Sequence, residues 1–185
     1  MNILFTICGR AGSKGFKDKN LKEMRGIPLV FYTLAAIKGY MDKHSENRIE
    51  VALNTDSNPL ANLVQKQQCI DIKYIQRKEE LAGDVVSKVD VIRDTYLSCS
   101  GAAFDIVIDL DITSPLRRVE DIENIIAEYN KGIYDLVFSV VEARRSPYFN
   151  MVEEKNDKFY RKICASGYTA RQQAPKSYEM NASIY

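Results

Sequence analysis

Strand-like and helix-like stretches alternate along most of this chain, and that alternation narrows its fold more than any other property. Residues 2–8 form an apolar run that reads as a first strand. Pro28 suits a first helical turn, and Leu29, Tyr32, Thr33, Ala36 and Ile37 share one helical face after it. Residues 49–54 read as a second strand, whose continuation Thr55-Asp56-Ser57 can cap a helix over 59–68. A third strand is expected at 70–76, then a longer helix over 85–98 with Val85, Val89, Ile92 and Tyr96 at helical spacing. A fourth strand at 104–110, a helix at 120–130 with Ile122, Ile125 and Ile126 inward, and a fifth strand at 134–141 complete the pattern. Such alternation predicts an α/β domain with a mostly parallel sheet covered on both faces.

The character changes after Val141. Residues 142–180 are polar and rich in tyrosine, without a clear period, apart from a short strand expected at 159–164. Irregular stretches of this length usually serve as lids, insertions or subunit contacts. Residues 182–185 read as one more strand, met by the end of the sequence, so the expectation is one domain over 1–185 that is C-terminally truncated. A length of 185 residues agrees with a single core.

The first strand runs directly into Arg10-Ala11-Gly12-Ser13-Lys14-Gly15, followed by Lys17, Lys19 and Asn20. Glycines let a backbone turn tightly and aim its N–H groups at an anion, and lysine and arginine add the charge that a polyphosphate needs. The loop is not a P-loop, because Lys14 stands where the second glycine is required, five residues after Gly9. Nor is it a dinucleotide fingerprint, since Arg10 replaces a required glycine. Set against a plain basic surface loop, the density of cations at a strand end favours a nucleoside triphosphate.

Composition excludes several classes. A formal net charge of +1 leaves no basic footprint for non-specific nucleic-acid binding. No segment nears the roughly 20 apolar residues of a membrane span, and the opening apolar run is too short for a signal peptide, so a cytoplasmic protein is expected. Cys8, Cys69, Cys99 and Cys164 form no C-x-x-C pair, and Cys8 and Cys69 are expected to be buried thiols in or beside strands. His44 is the only histidine, which argues against a histidine metal site or a Ser-His-Asp triad. Chemistry here would rest on carboxylates, lysines, arginines and a metal.

Ligands of open α/β sheets bind beyond the carboxyl ends of the strands. Besides the basic loop, Asn54-Thr55-Asp56 and Asp109-Leu110-Asp111 fall at such ends. Alternation puts Ile106, Ile108 and Leu110 on one side of their strand and Val107, Asp109 and Asp111 on the other. Two carboxylates on one face could hold Mg²⁺; the alternative makes Asp109 a hydrogen-bonded strand residue and Asp111 a loop cap. Arg117 in Thr113-Ser114-Pro115-Leu116-Arg117 could meet a phosphate or shape a turn, and Arg171-Gln172-Gln173 could meet an acidic substrate.

Four stretches, R-A-G-S-K-G-F-K-D-K-N at 10–20, E-L-A-G-D-V-V-S at 80–87, L-D-I-T-S-P-L-R at 110–117 and A-R-Q-Q-A-P at 170–175, resemble the acylneuraminate cytidylyltransferases, or CMP-sialic acid synthetases, kin to the CMP-Kdo synthetases. The resemblance spans nearly the whole chain in order. It implies a three-layer α/β/α nucleotidyltransferase fold and transfer of CMP from CTP to a nonulosonic acid, with pyrophosphate released. It implies catalytic roles for Arg10, Lys14 and Lys19 at the triphosphate. Gly12, Ser13, Asn20, Arg77, Ser87 and Asp111 join the nucleotide site, with Asn20, Arg77 and Ser87 near cytosine and ribose. Arg171 and Gln172 correspond to the sugar site. It further implies Mg²⁺ as cofactor and a homodimer, with 142–175 as the dimerisation and sugar-site insertion. Asp111 stands where many members carry glutamine, which opens a metal role for it. The family's own metal aspartates would fall beyond residue 185. Kin acting on Kdo or other sugars, and a non-catalytic nucleotide-binding relative, are the alternatives.

Overall fold

The computed structural model describes residues 1–12, 15–99, 103–156 and 158–185. Its elements are β1 (Asn2–Cys8), β2 (Glu23–Met24), β3 (Ile27–Pro28), α1 (Leu29–Lys43), β4 (Arg48–Thr55), α2 (Asn58–Gln65) and β5 (Lys73–Gln76). There follow α3 (Lys88–Ser98), β6 (Ile106–Asp109), α4 (Val119–Tyr129), β7 (Val140–Glu142), β8 (Val152–Glu154), β9 (Tyr160–Lys162) and β10 (Tyr178–Met180). Two compact units result, one of Met1–Phe138 with Ala182–Tyr185, the other of Ser139–Asn181.

The first unit carries a parallel sheet in the order β5-β4-β1-β6. One face buries Ile3, Phe5, Ile7, Val51, Leu53, Ile108 and Leu110 against side chains of α1, α2 and α4. The other buries Leu4, Ala52, Ile75 and Cys99, and α3 packs there on β1 and β4. This is the α/β/α layering expected. Alternation in β6 is also as read, with Ile108 and Leu110 in the larger core and Val107 against the smaller one. Ser57 caps α2 by accepting from Leu60 N at 3.4 Å, with Pro59 in the first turn.

Several expectations are corrected. The strand expected at 70–76 starts only at Lys73, because the Gln67 side chain takes the preceding backbone groups. Its Oε1 accepts from Cys69 N at 2.8 Å and Ile70 N at 3.1 Å, and its Nε2 donates to Ile70 O at 2.7 Å. Cys69 is therefore exposed rather than buried, while Cys8 is partly buried. The helix expected over 85–98 starts at Lys88, and Val85 is 99% exposed. Its buried face is Val91, Asp94 and Thr95, not the apolar residues at helical spacing. The covered sheet surface explains this, for toward the strand ends it presents Thr6, Asn54 and Asp109, all buried and polar. Polar groups facing polar groups are satisfied, whereas valine there would orphan them.

Residues 134–139 form no strand; only Val140–Glu142 does, antiparallel to β10 in the second unit. The place beside β6 belongs instead to the end of the chain. Asp109 N donates to Tyr185 O at 2.9 Å, Tyr185 N to Asp109 O at 3.1 Å, and Asp111 N to Ser183 O at 3.2 Å. Residues 182–185 thus contribute an antiparallel bridge, Leu110 with Ile184, rather than a full strand. In the second unit, β8 and β9 pair antiparallel, and the strand expected at 159–164 is limited to Tyr160–Lys162.

Candidate active site

Every parallel strand of the sheet ends in a segment that bears polar chemistry. Gly9 leaves β1, Asp56 follows β4, Arg77 follows β5, and Asp111 lies just past β6. The ends of β1, β5 and β6 border a cavity of about 230 Å³ lined among others by Cys8, Arg10, Lys19, Asn20, Arg77, Lys88 and Asp111. A ligand crevice at the carboxyl edge of the strands is where the α/β rule places it.

The loop after β1 is held open by specific contacts. A Cβ on Gly9 would lie 2.6 Å from Leu60 Cδ2 and 2.9 Å from Ile112 Cδ1, so only glycine allows this close passage. Gly12 has φ +66°, the left-handed region that glycine enters without strain. Ala11 N donates to Asp56 Oδ1 at 2.8 Å, and the buried Asn20 donates from Nδ2 to Arg10 O at 3.0 Å. Arg10 pairs with Asp84, from the E-L-A-G-D stretch. Ser13, expected in the nucleotide site, and Lys14, expected at the triphosphate, lie outside the described residues.

Arg77 is buried and braced. Its Nε donates to Asn54 Oδ1 at 3.0 Å and its Nη2 to Asn54 O at 2.9 Å. Asn54 in turn donates to Asp94 Oδ2 at 3.3 Å, and Lys78 Nζ lies 2.6 Å from Asp94 Oδ1. Burial lowers the Arg77 pKa, with Arg10 adding to the shift and Cys8, Asp56 and Asp109 opposing it. Burial, aided by Asp109, also pushes the Cys8 thiol well up.

Asp109 and Asp111 have different surroundings. Asp109 is 1% exposed and accepts from Thr6 Oγ1 at 2.8 Å. Asp111 accepts at Oδ1 from Thr113 N at 2.8 Å and from Thr113 Oγ1 at 2.5 Å, as a loop cap does. Burial works to raise its pKa, but the Thr113 hydrogen bonds and the charges of Lys88 and Lys19 bring it below the ordinary value. Arg117 is a bolt, donating from Nη2 to Asp111 O at 2.9 Å and to Ser183 O at 2.6 Å. Its burial lowers its pKa to about 10, against the opposing charges of Asp111, Asp109 and Asp121.

Sequence reasoning missed Lys88, whose Nζ lies 2.7 Å from Asp109 Oδ2 and 3.6 Å from Asp111 Oδ2. Burial pulls its pKa down, but Asp109, then Asp111 and Tyr185, outweigh that and leave it raised. No pattern in the sequence marks it, because the face of α3 that Lys88 shares with Val91 and Thr95, at i, i+3 and i+7, is polar where an apolar stripe would be read as buried. Gly12 and Ser87 do not line the cavity; the Ser87 hydroxyl caps α3, accepting from Val89 N at 3.2 Å. Among the described residues no group of three or more histidine, cysteine or carboxylate side chains is placed to hold a metal. No helix among the described residues is long and apolar enough to cross a membrane.

The second unit has its own cavity, of about 410 Å³, lined by Arg145, Ser146, Arg171, Gln172 and Lys176 among others. Arg171 and Gln172 sit in a short 3₁₀ turn. Gln173 fixes that turn, accepting at Oε1 from Thr169 N at 3.0 Å and Ala170 N at 3.1 Å.

Known proteins share both sequence and fold with this chain. The chain is 35% identical over 190 residues to post-translational flagellin modification protein B of Campylobacter coli, covering 99% of this chain and 76% of that one. It is 36% identical over 187 residues to CMP-N,N'-diacetyllegionaminic acid synthase of Campylobacter jejuni, with the same coverage of 99% and 76%. Its fold is similar to that of a CMP:2-keto-3-deoxy-manno-octonic acid synthetase solved with CTP, at TM-score 0.60 and 17% identity, covering 100% of this chain and 73% of that one. The cytidylyltransferase family model matches residues 4–185, and the chain belongs to the cytidylyltransferase family, on the nucleotidyltransferase fold.

Proposed function

We propose that this chain activates a nonulosonic acid with CTP, giving the CMP-sugar and pyrophosphate. The observation that carries the reading is the convergence of Arg10, Lys19, Arg77 and Lys88 on one cavity at the strand ends. Arg10 and Lys19 bring charge for a triphosphate, which must be offset in a partly dry site, while the Lys88 ammonium neutralises Asp109 and Asp111 beside it. Likeness to a legionaminic acid synthase supports an acid of the nonulosonic class.

In this reading Arg10, Lys14 and Lys19 hold the triphosphate. Arg77, braced by Asn54, faces the base with Asn20, and Ser87 acts indirectly, its hydroxyl capping the helix that begins at Lys88. The anomeric hydroxyl of the acid attacks the α-phosphorus in line, a P–O bond forms to the sugar as the hydroxyl proton passes to solvent, and the bond to pyrophosphate breaks. Positioning and charge stabilisation carry such a transfer. Arg171 and Gln172 bind the carboxylate and hydroxyls of the acid, in a cavity whose arginines and lysine suit an anion. Residues 142–175 form the homodimer contact, a role supported by exposed Met151, Val152, Phe159 and Tyr160 in that segment.

The Mg²⁺ that the family resemblance implies does not fit between Asp109 and Asp111. Asp109 Oδ2 and Asp111 Oδ2 already face the Lys88 ammonium, and Asp111 Oδ1 is engaged by Thr113. No step is therefore routed through a metal at this pair.

The test is product formation. Purified protein with radiolabelled CTP and a panel of acids (legionaminic, N-acetylneuraminic and Kdo) is expected to give a CMP-sugar with a nonulosonic acid of nine carbons. Exclusive turnover of Kdo would move the chain to the neighbouring class, and CTP binding without turnover of any acid would make it a binding module.

A further inference from the structure

Lys88 opens α3, where a cation opposes the positive end of the helix dipole. It is nevertheless held there. Its Nζ is buried, 2.7 Å from Asp109 Oδ2, 3.6 Å from Asp111 Oδ2 and 4.4 Å from the centroid of the Tyr185 ring. Asp109 Oδ2 is buried too, and its charge is balanced by the ammonium in a close ion pair. Two carboxylates beside a cavity for a polyphosphate would repel the ligand if nothing neutralised them.

We propose that Lys88 is the resident counter-ion of the Asp109–Asp111 pair, seated where a divalent cation would otherwise bridge the two carboxylates. Tethered by the chain, it excludes metal from that seat and keeps this wall of the cavity from repelling an incoming nucleotide. Its role is positioning and charge-setting, exerted through the two aspartates. The inference stands whatever acid the protein activates.

Mn²⁺ is the probe, read by electron paramagnetic resonance on nucleotide-free protein. The unaltered protein is expected to show no site here up to millimolar metal; a site that disappears in Asp111→Asn would overturn the proposal. Lys88→Met is expected to gain Mn²⁺ binding at least tenfold tighter, lost again in Lys88→Met/Asp109→Asn, while Lys88→Arg behaves as the unaltered protein. A folded Lys88→Met with no gain also overturns it. In metal-free buffer, Lys88→Met is expected to bind CTP at least tenfold more weakly, and Lys88→Arg to recover most of that loss. If Lys88→Met fails to fold, recovery of folding in Lys88→Met/Asp109→Asn supports the charge pairing, and its failure to recover refutes it.

Discussion

The strand-end cavity and the basic cavity of Ser139–Asn181 both gather arginines and lysines, yet they hold them differently. In the first, Arg77 is 6% exposed and tied to a chain of partners running through Asn54 and Asp94 to Lys78. In the second, Arg171 and Gln172 are exposed on a 3₁₀ turn, and the turn rather than the side chains is what the hydrogen bonds fix. A buried network fixes geometry and costs much to disturb, since every member lost strands another in a low-dielectric interior. An exposed turn costs little to alter. Substitutions in the buried network behind the strand-end cavity should therefore disturb stability and nucleotide handling together, and those in the second cavity should touch the acid alone.

The largest effect is expected at Asn54, which is fully buried. Asn54→Leu keeps the branching of the side chain, with bulkier methyl groups, but removes hydrogen bonds to two charged groups, worth about 1.5–3 kcal/mol each, so about 3 kcal/mol or more is expected to be lost. Urea unfolding measures it; a loss under about 1 kcal/mol would show that the network is not tight and would dissolve the contrast. Next come Lys14→Ala and Lys19→Ala. Each is expected to lower pyrophosphate release at least tenfold with the fold intact, a barrier change of about 1.4 kcal/mol. Near-normal turnover would remove the basic loop from the chemistry.

The same contrast explains what could be read from the chain alone. The first unit was largely legible because apolar runs such as residues 2–8 sit in a parallel sheet covered on both faces. Its basic loop was legible because glycine and lysine carry their meaning locally. Lys88 was not, because its importance arises from Asp109, distant in sequence, and from a helix face that is polar for tertiary reasons. Tyr134–Val141 misled for a related reason: its β-branched and aromatic residues suit a strand, but the edge of β6 is taken by Ser183–Tyr185 through backbone bonds that no side-chain pattern records. The second unit, with strands of three residues each, offers too little period for any reading by alternation.

A smaller effect is expected in the second cavity. Arg171→Ala should raise KM for the acid about tenfold, about 1.4 kcal/mol, and leave KM for CTP and the urea midpoint unchanged. Steady-state kinetics varying each substrate in turn separates the two. A change in KM for CTP would tie this turn to the nucleotide and remove the division of labour.

The cysteines sharpen the comparison most gently, since they need no loss of function to report. The thiolate is the form that reacts with an alkylating reagent, so a thiol held protonated by burial reacts slowly. Cys8 lines the strand-end cavity, and burial with Asp109 raises its pKa well above the ordinary value. Burial, helped by Glu50, raises the Cys99 thiol to about 12. Cys69 is exposed, freed by the turn that Gln67 makes. Iodoacetamide at mildly alkaline pH should therefore modify Cys69 first and Cys8 at least tenfold more slowly, and CTP should slow Cys8 further by filling the cavity beside it. Mass spectrometry of the digested protein gives each rate. Rapid labelling of Cys8 would mean that the cavity floor opens to solvent, and equal rates with and without CTP would mean that the nucleotide sits elsewhere.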